Sequence, residues 1–125
     1  MNIVDSSAWL EYFADGPNAS FFAEPIEELE TLVVPTLSLY EVFKRVLQQR
    51  DESAALEAAA FMQQGTVVEL EATTALNAAR LSVELRLPLA DSVILATARQ
   101  YGAELWTQDA DFERIEGVRY RKRMP

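Results

Sequence analysis

Five short apolar runs rich in β-branched residues punctuate the chain: NIV (2–4), TLVVP (31–35), TVVEL (66–70), ELWT (104–107) and VRY (118–120). A strand with one wet face alternates apolar and polar residues, whereas near-continuous apolar runs need cover on both faces. Segments of helical periodicity fill every interval. Alternating runs and helices therefore predict an α/β domain, a largely parallel sheet with helices packed on it. At 125 residues the whole chain, 1–125, reads as one domain with a single sizeable core.

The connecting segments carry recognisable punctuation. Ser6 or Ser7 is placed to cap a helix through AWLEYFA that ends at the turn Asp15-Gly16-Pro17. Asn18 is placed to cap a second helix, with Pro25 predicting a kink or a break in it. LSLYEVFKRVLQQR is amphipathic through Tyr40, Phe43 and Leu47, and ESAALEAAAFMQQG is an alanine-rich helix stopped at Gly65. TTALNAARLSVELR is helical, Pro88 breaks the pattern, and ADSVILATARQYG restarts it up to Gly102. DADFERI reads as a short helical turn.

Two absences restrict the chemistry. There is no histidine and no cysteine. Ser-His-Asp hydrolysis, Cys-His chemistry, histidine zinc sites and metal-free histidine general-base catalysis are excluded, as are disulfides. No G-x-G-x-x-G follows the first run, and four glycines in all argue against dinucleotide binding or a phosphate-cradling loop. Any hydrolytic chemistry falls to carboxylates, with a hard metal ion. No apolar run approaches the roughly 18–20 residues of a membrane span. The opening MNIVDSS has no basic residue and predicts no signal peptide, so a cytoplasmic location is expected.

Net charge is −9 and unevenly spread. Residues 1–37 hold seven acids and no Lys or Arg, while the last seven residues, RYRKRMP, hold four bases. The overall acidity argues against nucleic-acid binding, which usually shows a basic footprint.

Five acids stand where a parallel sheet binds its ligands, beyond the carboxyl ends of strands or at the start of the following helices. Asp5 ends the first run, and Asp109 follows the fourth. Each can also be read as a helix cap. Asp111, just ahead of Phe112 and Ile115, looks like the cap of the turn. Glu41 fits a capping box with Ser38, or an i,i+4 pair with Arg45. Asp91 opens the helix of Val93, Ile94 and Leu95, where it either favours the helix dipole or points at a cleft. Carboxylates gathered at one sheet edge repel unless protonated or neutralised by a cation, and an all-oxygen set selects Mg²⁺ or Mn²⁺ over zinc.

Three stretches go further: IVDSSAWLEYF (3–13), TLSLYEVFKRV (36–46) and LPLADSVILATARQYGAELWTQDADF (87–112). In order and spacing the chain resembles, over essentially its whole length, the PIN-domain nucleases, and within them the VapC-type toxins of toxin–antitoxin pairs. The resemblance implies a three-layer fold whose five-stranded parallel sheet has the order 3-2-1-4-5, reversing between the strands that end at Asp5 and Asp109. It implies catalytic, metal-binding roles for Asp5, Glu41, Asp91 and Asp109 around Mg²⁺ or Mn²⁺. Supporting polar contacts are implied for Ser6, Ser7 and Thr107, and a secondary role for Asp111. It implies a toxic endoribonuclease cutting tRNA or other structured RNA, neutralised by a VapB-type antitoxin. The assembly expected is a homodimer, extended to a heterotetramer or larger with antitoxin, away from membranes.

Two other functions compete. A non-catalytic PIN-fold protein-binding module would keep the acids as caps. A phosphotransfer domain with Asp5 as nucleophile would need a second aspartate two residues on, where Ser7 stands, and the only lysines are Lys44 and Lys122. For the nuclease, a dimer could gather a basic groove from Lys44, Arg45, Arg80, Arg86, Arg99 and the tail. A shallow groove at Tyr40, Phe43, Leu56, Phe61 and Met62 is the expected seat of an amphipathic partner segment.

Overall fold

The computed structural model describes residues 1–125. Its strands are β1 (Asn2–Val4), β2 (Leu32–Pro35), β3 (Thr66–Val68), β4 (Glu104–Thr107) and β5 (Val118–Tyr120). All pairings are parallel, in the order β3-β2-β1-β4-β5. The helices are α1 (Ser6–Phe13), α2 (Ala19–Glu27), α3 (Thr36–Gln49), α4 (Glu52–Met62), α5 (Ala72–Leu85) and α6 (Leu89–Gln100), with short 3₁₀ turns at Leu29–Thr31 and Ala110–Phe112. This is the expected PIN-like α/β architecture. No helix is long and apolar enough to cross a membrane.

Side chains of a strand alternate between faces, and here both faces are core. Val4, Val34 and Trp106 pack on one side with Trp9, Phe22, Ile26, Val42, Ala55 and Met62 of α1 to α4. Ile3, Val33 and Leu105, their neighbours in sequence, pack on the other with Ile94, Leu95, Ala98 and Phe112. Ala78 of α5 meets Val93 and Ala96 of α6, small side chains that let these helices approach closely. The result is three layers, with strands three or four residues long whose central residues are apolar in β1, β2 and β4.

Local details depart from the sequence expectations for identifiable reasons. β3 ends at Val68 rather than Leu70, because as an edge strand it has pairing on one side only. Pro25 lies inside α2, not at a break: it withholds the helical donor from the Phe21 carbonyl, but only Ile26 and Glu27 follow it in the helix, and its ring is buried in the core. α3 begins at Thr36 with Pro35 as its N-cap, so Ser38 is inside the helix and forms no capping box with Glu41. Gly65 is closely packed: a Cβ there would lie 3.0 Å from Val34 and 3.1 Å from the Leu32 carbonyl oxygen. Gly102 ends α6 with φ of 61°, the left-handed conformation glycine adopts without strain.

Candidate active site

Because every strand is parallel, β1 and β4 deliver their carboxyl ends to one edge, at the point where the strand order reverses. Asp5 stands there, buried at 5 % exposure. It holds the N-cap position of α1, yet its side chain caps nothing. Instead its Oδ2 accepts hydrogen bonds from the hydroxyls of Ser7 (2.8 Å) and Thr107 (2.8 Å). Burial pushes the Asp5 carboxyl upward, the two hydroxyls pull it back, and the charge of Asp109 adds to the rise.

Glu41 reaches the same corner from α3. Ser6 Oγ donates to Glu41 Oε1 at 2.6 Å, across 35 residues of sequence. Its carboxyl is also raised, first by burial, then further by Asp5, against the Ser6 hydrogen bond. Both serines thus bind carboxylates rather than helix ends.

Asp91, in the first turn of α6, faces Asp109 and Asp111. One carboxylate oxygen from each of the three lies within 4.8 Å of the others. Asp91 is half-buried, and burial is the main reason its carboxyl rises from 3.8 to about 8; the charges of Asp109 and Asp5, and a hydrogen bond and charge from Asp111, add to it. No Lys or Arg neutralises the group, since the molecule's one ion pair joins Arg119 to Glu104 at the far end of β4.

Asp109 takes the capping part expected of Asp111 and keeps its own place among the acids. Asp109 is the cap: its Oδ1 accepts the Asp111 N–H at 2.9 Å, at the start of the 3₁₀ turn. Thr107 Oγ1 accepts the Asp109 N–H (2.9 Å) while donating to Asp5, so one hydroxyl ties the two strand ends together. Asp111, the more exposed, completes the trio with Asp91 and Asp109. Asp5 and Glu41 stand outside that trio but are coupled to it through space: Asp5 to both Asp91 and Asp109, and Glu41 to Asp5.

Sequence reasoning missed Gln108 and read Asn18 as a helix cap, whereas the Asn18 side chain stands at the N-cap of α2 and caps nothing. Gln108, between Thr107 and Asp109, donates to the Ser7 carbonyl oxygen (3.3 Å) and to Glu11 (3.5 Å). Asn18 Nδ2 donates to Gln108 Oε1 (3.0 Å) and to the Lys122 carbonyl oxygen (3.0 Å). A glutamine in an apolar strand end was the available signal.

The expected apolar groove is split in two. Met62 points into the core while Phe61, one residue and about 100° round the helix, lines a cleft of about 440 Å³ with Leu10, Phe13, Val46, Ala54 and Ala58. Tyr40 and Phe43 line a separate shallow groove on the other side of α3.

The family model "PIN domain" matches residues 3–118. The chain belongs to the PIN-domain family. No curated protein matches it in sequence. Among solved structures it is similar to a toxin–antitoxin complex from Klebsiella pneumoniae, at 22 % identity and a TM-score of 0.79, covering 95 % of this chain and 96 % of that one. VapC20 of Mycobacterium tuberculosis, described as a sarcin-ricin loop cleaving toxin, gives 19 % identity and a TM-score of 0.76 over 93 % and 95 % of the two chains. A DNA-bound VapBC from Salmonella typhimurium gives 16 % and 0.74 over 98 % of each. At these identities the likeness is one of fold, and it extends along the entire PIN domain.

Proposed function

We propose that this PIN domain, spanning residues 1–125, is a VapC-type toxin: a metal-dependent endoribonuclease that hydrolyses tRNA or other structured RNA. The observation that carries the proposal is the gathering of Asp91, Asp109 and Asp111 at one sheet edge, against Asp5 and Glu41, with no base to balance them. The donors are all carboxylate oxygens, which fits Mg²⁺ or Mn²⁺, and a cation among them would offset the burial and the neighbouring acids that raise the Asp91 carboxyl. Asp5, Glu41, Asp91 and Asp109 would hold the ion, with Asp111 beside them. A bound divalent cation lowers the pKa of water and offsets charge developing on a phosphate oxygen.

The chain's own residues do the rest. Thr107 and Ser7 fix the Asp5 carboxylate in a single orientation, and Ser6 does the same for Glu41. These hydroxyls favour the charged carboxylate against the burial that raises it, and as neutral donors they leave that charge uncancelled for orienting an attacking water. The Asp109 cap of the 3₁₀ turn holds Asp111 against Asp91.

The toxin reading draws on the solved structures named above, two of them toxin–antitoxin assemblies. It brings a VapB-type antitoxin as partner, a homodimer or a larger assembly with antitoxin, and a cytoplasmic site of action. The cleft between α1, α3 and α4, apolar apart from Gln49, Arg50 and Glu57, suits one face of an amphipathic antitoxin segment.

One observation favours the module without catalysis: Asp109 is a true cap. Asp5 and Asp91 are not, and a structural role leaves their raised carboxyls without a purpose. Incubating partner-free protein with total small RNA separates the readings. Discrete fragments are expected with Mg²⁺ and none with EDTA; intact RNA in both arms, or fragments that persist in EDTA, removes the nuclease. Expression alone is expected to arrest growth, and co-expression with the antitoxin to restore it.

A further inference from the structure

The chain's net charge is −9, but residues 118–125 hold four bases and no acid. Parallel pairing sends β5 to the same edge as β4, with Tyr120 opposite Thr107. The Arg121 N–H donates to the Thr107 carbonyl oxygen at 3.0 Å. The basic segment therefore leaves the sheet one strand spacing, about 4.8 Å, from the residue that binds Asp5 and precedes Asp109.

The segment is held in place. Asn18, 1 % exposed, donates from Nδ2 to the Lys122 carbonyl oxygen and to Gln108, the residue between Thr107 and Asp109. The Arg121 guanidinium lies 4.3 Å from the centre of the Phe21 ring, and that of Arg119 lies 4.3 Å from Trp106. Glu11, the acid nearest the Asn18 clamp, is already engaged by the Asn18 N–H (2.7 Å) and Gln108. Arg119 pairs loosely with Glu104 at 3.9 Å. Arg121, Lys122 and Arg123 pair with no acid and are exposed.

We propose that Arg121, Lys122 and Arg123 form the phosphate-binding rim of the active site, gripping the RNA backbone beside the scissile bond. An acidic cluster repels RNA at long range, so an acidic nuclease needs its attraction concentrated where the chain must enter. A basic segment pinned by its backbone keeps the Lys122 and Arg123 side chains free for phosphates, while the stacked Arg121 presents its guanidinium edge. This rests on the nuclease reading above for its position beside a scissile bond, but not for RNA binding as such.

The test uses the full chain in two assays with one probe, a fluorescein-labelled RNA stem-loop with a single-stranded loop and tail: cleavage in Mg²⁺ and binding by anisotropy in Ca²⁺. The double variant Lys122→Gln/Arg123→Gln keeps the Arg121 stack and the backbone clamp. Its binding is expected to weaken on the order of tenfold, with the salt slope shallower by about 1.4, roughly 0.7 for each phosphate that is no longer neutralised. KM for cleavage should rise in step while kcat is kept, and the swap Lys122→Arg/Arg123→Lys should restore both. Unchanged affinity and slope in a variant that still cuts overturns the rim and leaves the nuclease standing. Loss of binding in a chain that never cuts keeps the rim and removes the nuclease. If instead the double variant keeps its RNA and loses only the antitoxin, the segment is a protein-binding one and the proposal fails.

Discussion

The acidic edge is two different constructions side by side. Asp5 and Glu41 are each tied to hydroxyls, Asp5 to Ser7 and Thr107 and Glu41 to Ser6, all within 2.8 Å. Asp91, Asp109 and Asp111 have carboxylates gathered within 4.8 Å and, apart from one backbone N–H at Asp109, only each other for company. The first pair is preorganised: neutral donors hold the charge without cancelling it. The trio is frustrated, and in the absence of a cation it relieves repulsion by keeping a proton on Asp91. Preorganisation and frustration are the two things a metal-dependent site needs, one to fix geometry and the other to make ion binding favourable.

The largest effect comes from removing charge on either side of that division. Asp5→Asn and Asp91→Asn should each lower the rate of RNA cleavage on the order of a thousandfold, the few kcal/mol expected when an ion ligand is removed. The two should differ in how they answer to metal. A raised Mn²⁺ concentration should rescue Asp91→Asn in part, because the trio retains Asp109 and Asp111, and Asp5→Asn much less. Equal rescue of both breaks the comparison, and full activity in Asp91→Asn removes that residue from catalysis.

The fold was largely legible because burial on both sheet faces leaves so strong a pattern: Ile3-Val4, Val33-Val34 and Leu105-Trp106 are apolar at every position since neither side chain meets water. The strand order and the four acids came through family resemblance; spacing alone left each acid with a cap reading. What escaped were matters of direction. Asp109 and Asp111 are both able to cap a turn, and the choice is made by the backbone path after Thr107, which depends on a hydroxyl bonded 102 residues away. Ser6 likewise reads as a cap until α3 is folded beside it. Asn18 reads locally as a helix cap and Gln108 as nothing in particular, and their shared role appears only when the tail returns to them.

Thr107 is where the two halves meet, since its hydroxyl donates to Asp5 and accepts from the Asp109 N–H. Thr107→Val keeps shape and removes both bonds. A buried group left without its partner costs about 1–3 kcal/mol, and cleavage should fall by a comparable factor, on the order of tenfold. Asp5 would lose one of the donors that lower its carboxyl, so the acidic limb of the pH–rate profile should move to higher pH. Serine at the same position restores the hydroxyl and should return the profile. A profile unmoved in the valine variant would mean that Ser7 and the Ser6 backbone N–H set the state of Asp5 without Thr107.

The smallest effect is the most specific to the frustrated trio, because it needs no RNA and no activity. Asp91 rises from 3.8 to about 8 in the folded chain, so the folded state binds the proton more tightly than the unfolded one. The stability this contributes is complete below pH 4 and is lost as the pH climbs to 8, after which it changes no further. The whole shift overstates its size, since Asp91 is half-buried and water screens its neighbours; about 1–2 kcal/mol is a fair expectation. Asparagine has no proton to lose. In EDTA, the stability of Asp91→Asn relative to the unaltered chain should therefore grow by that amount between pH 4 and 8, read from denaturant midpoints. Mg²⁺ should then reverse the ranking at pH 8, because binding to the folded state stabilises the chain that keeps its ligand. A difference that stays flat with pH in EDTA would show that Asp91 already has a cationic partner or ample water, and the trio would not be poised for a metal.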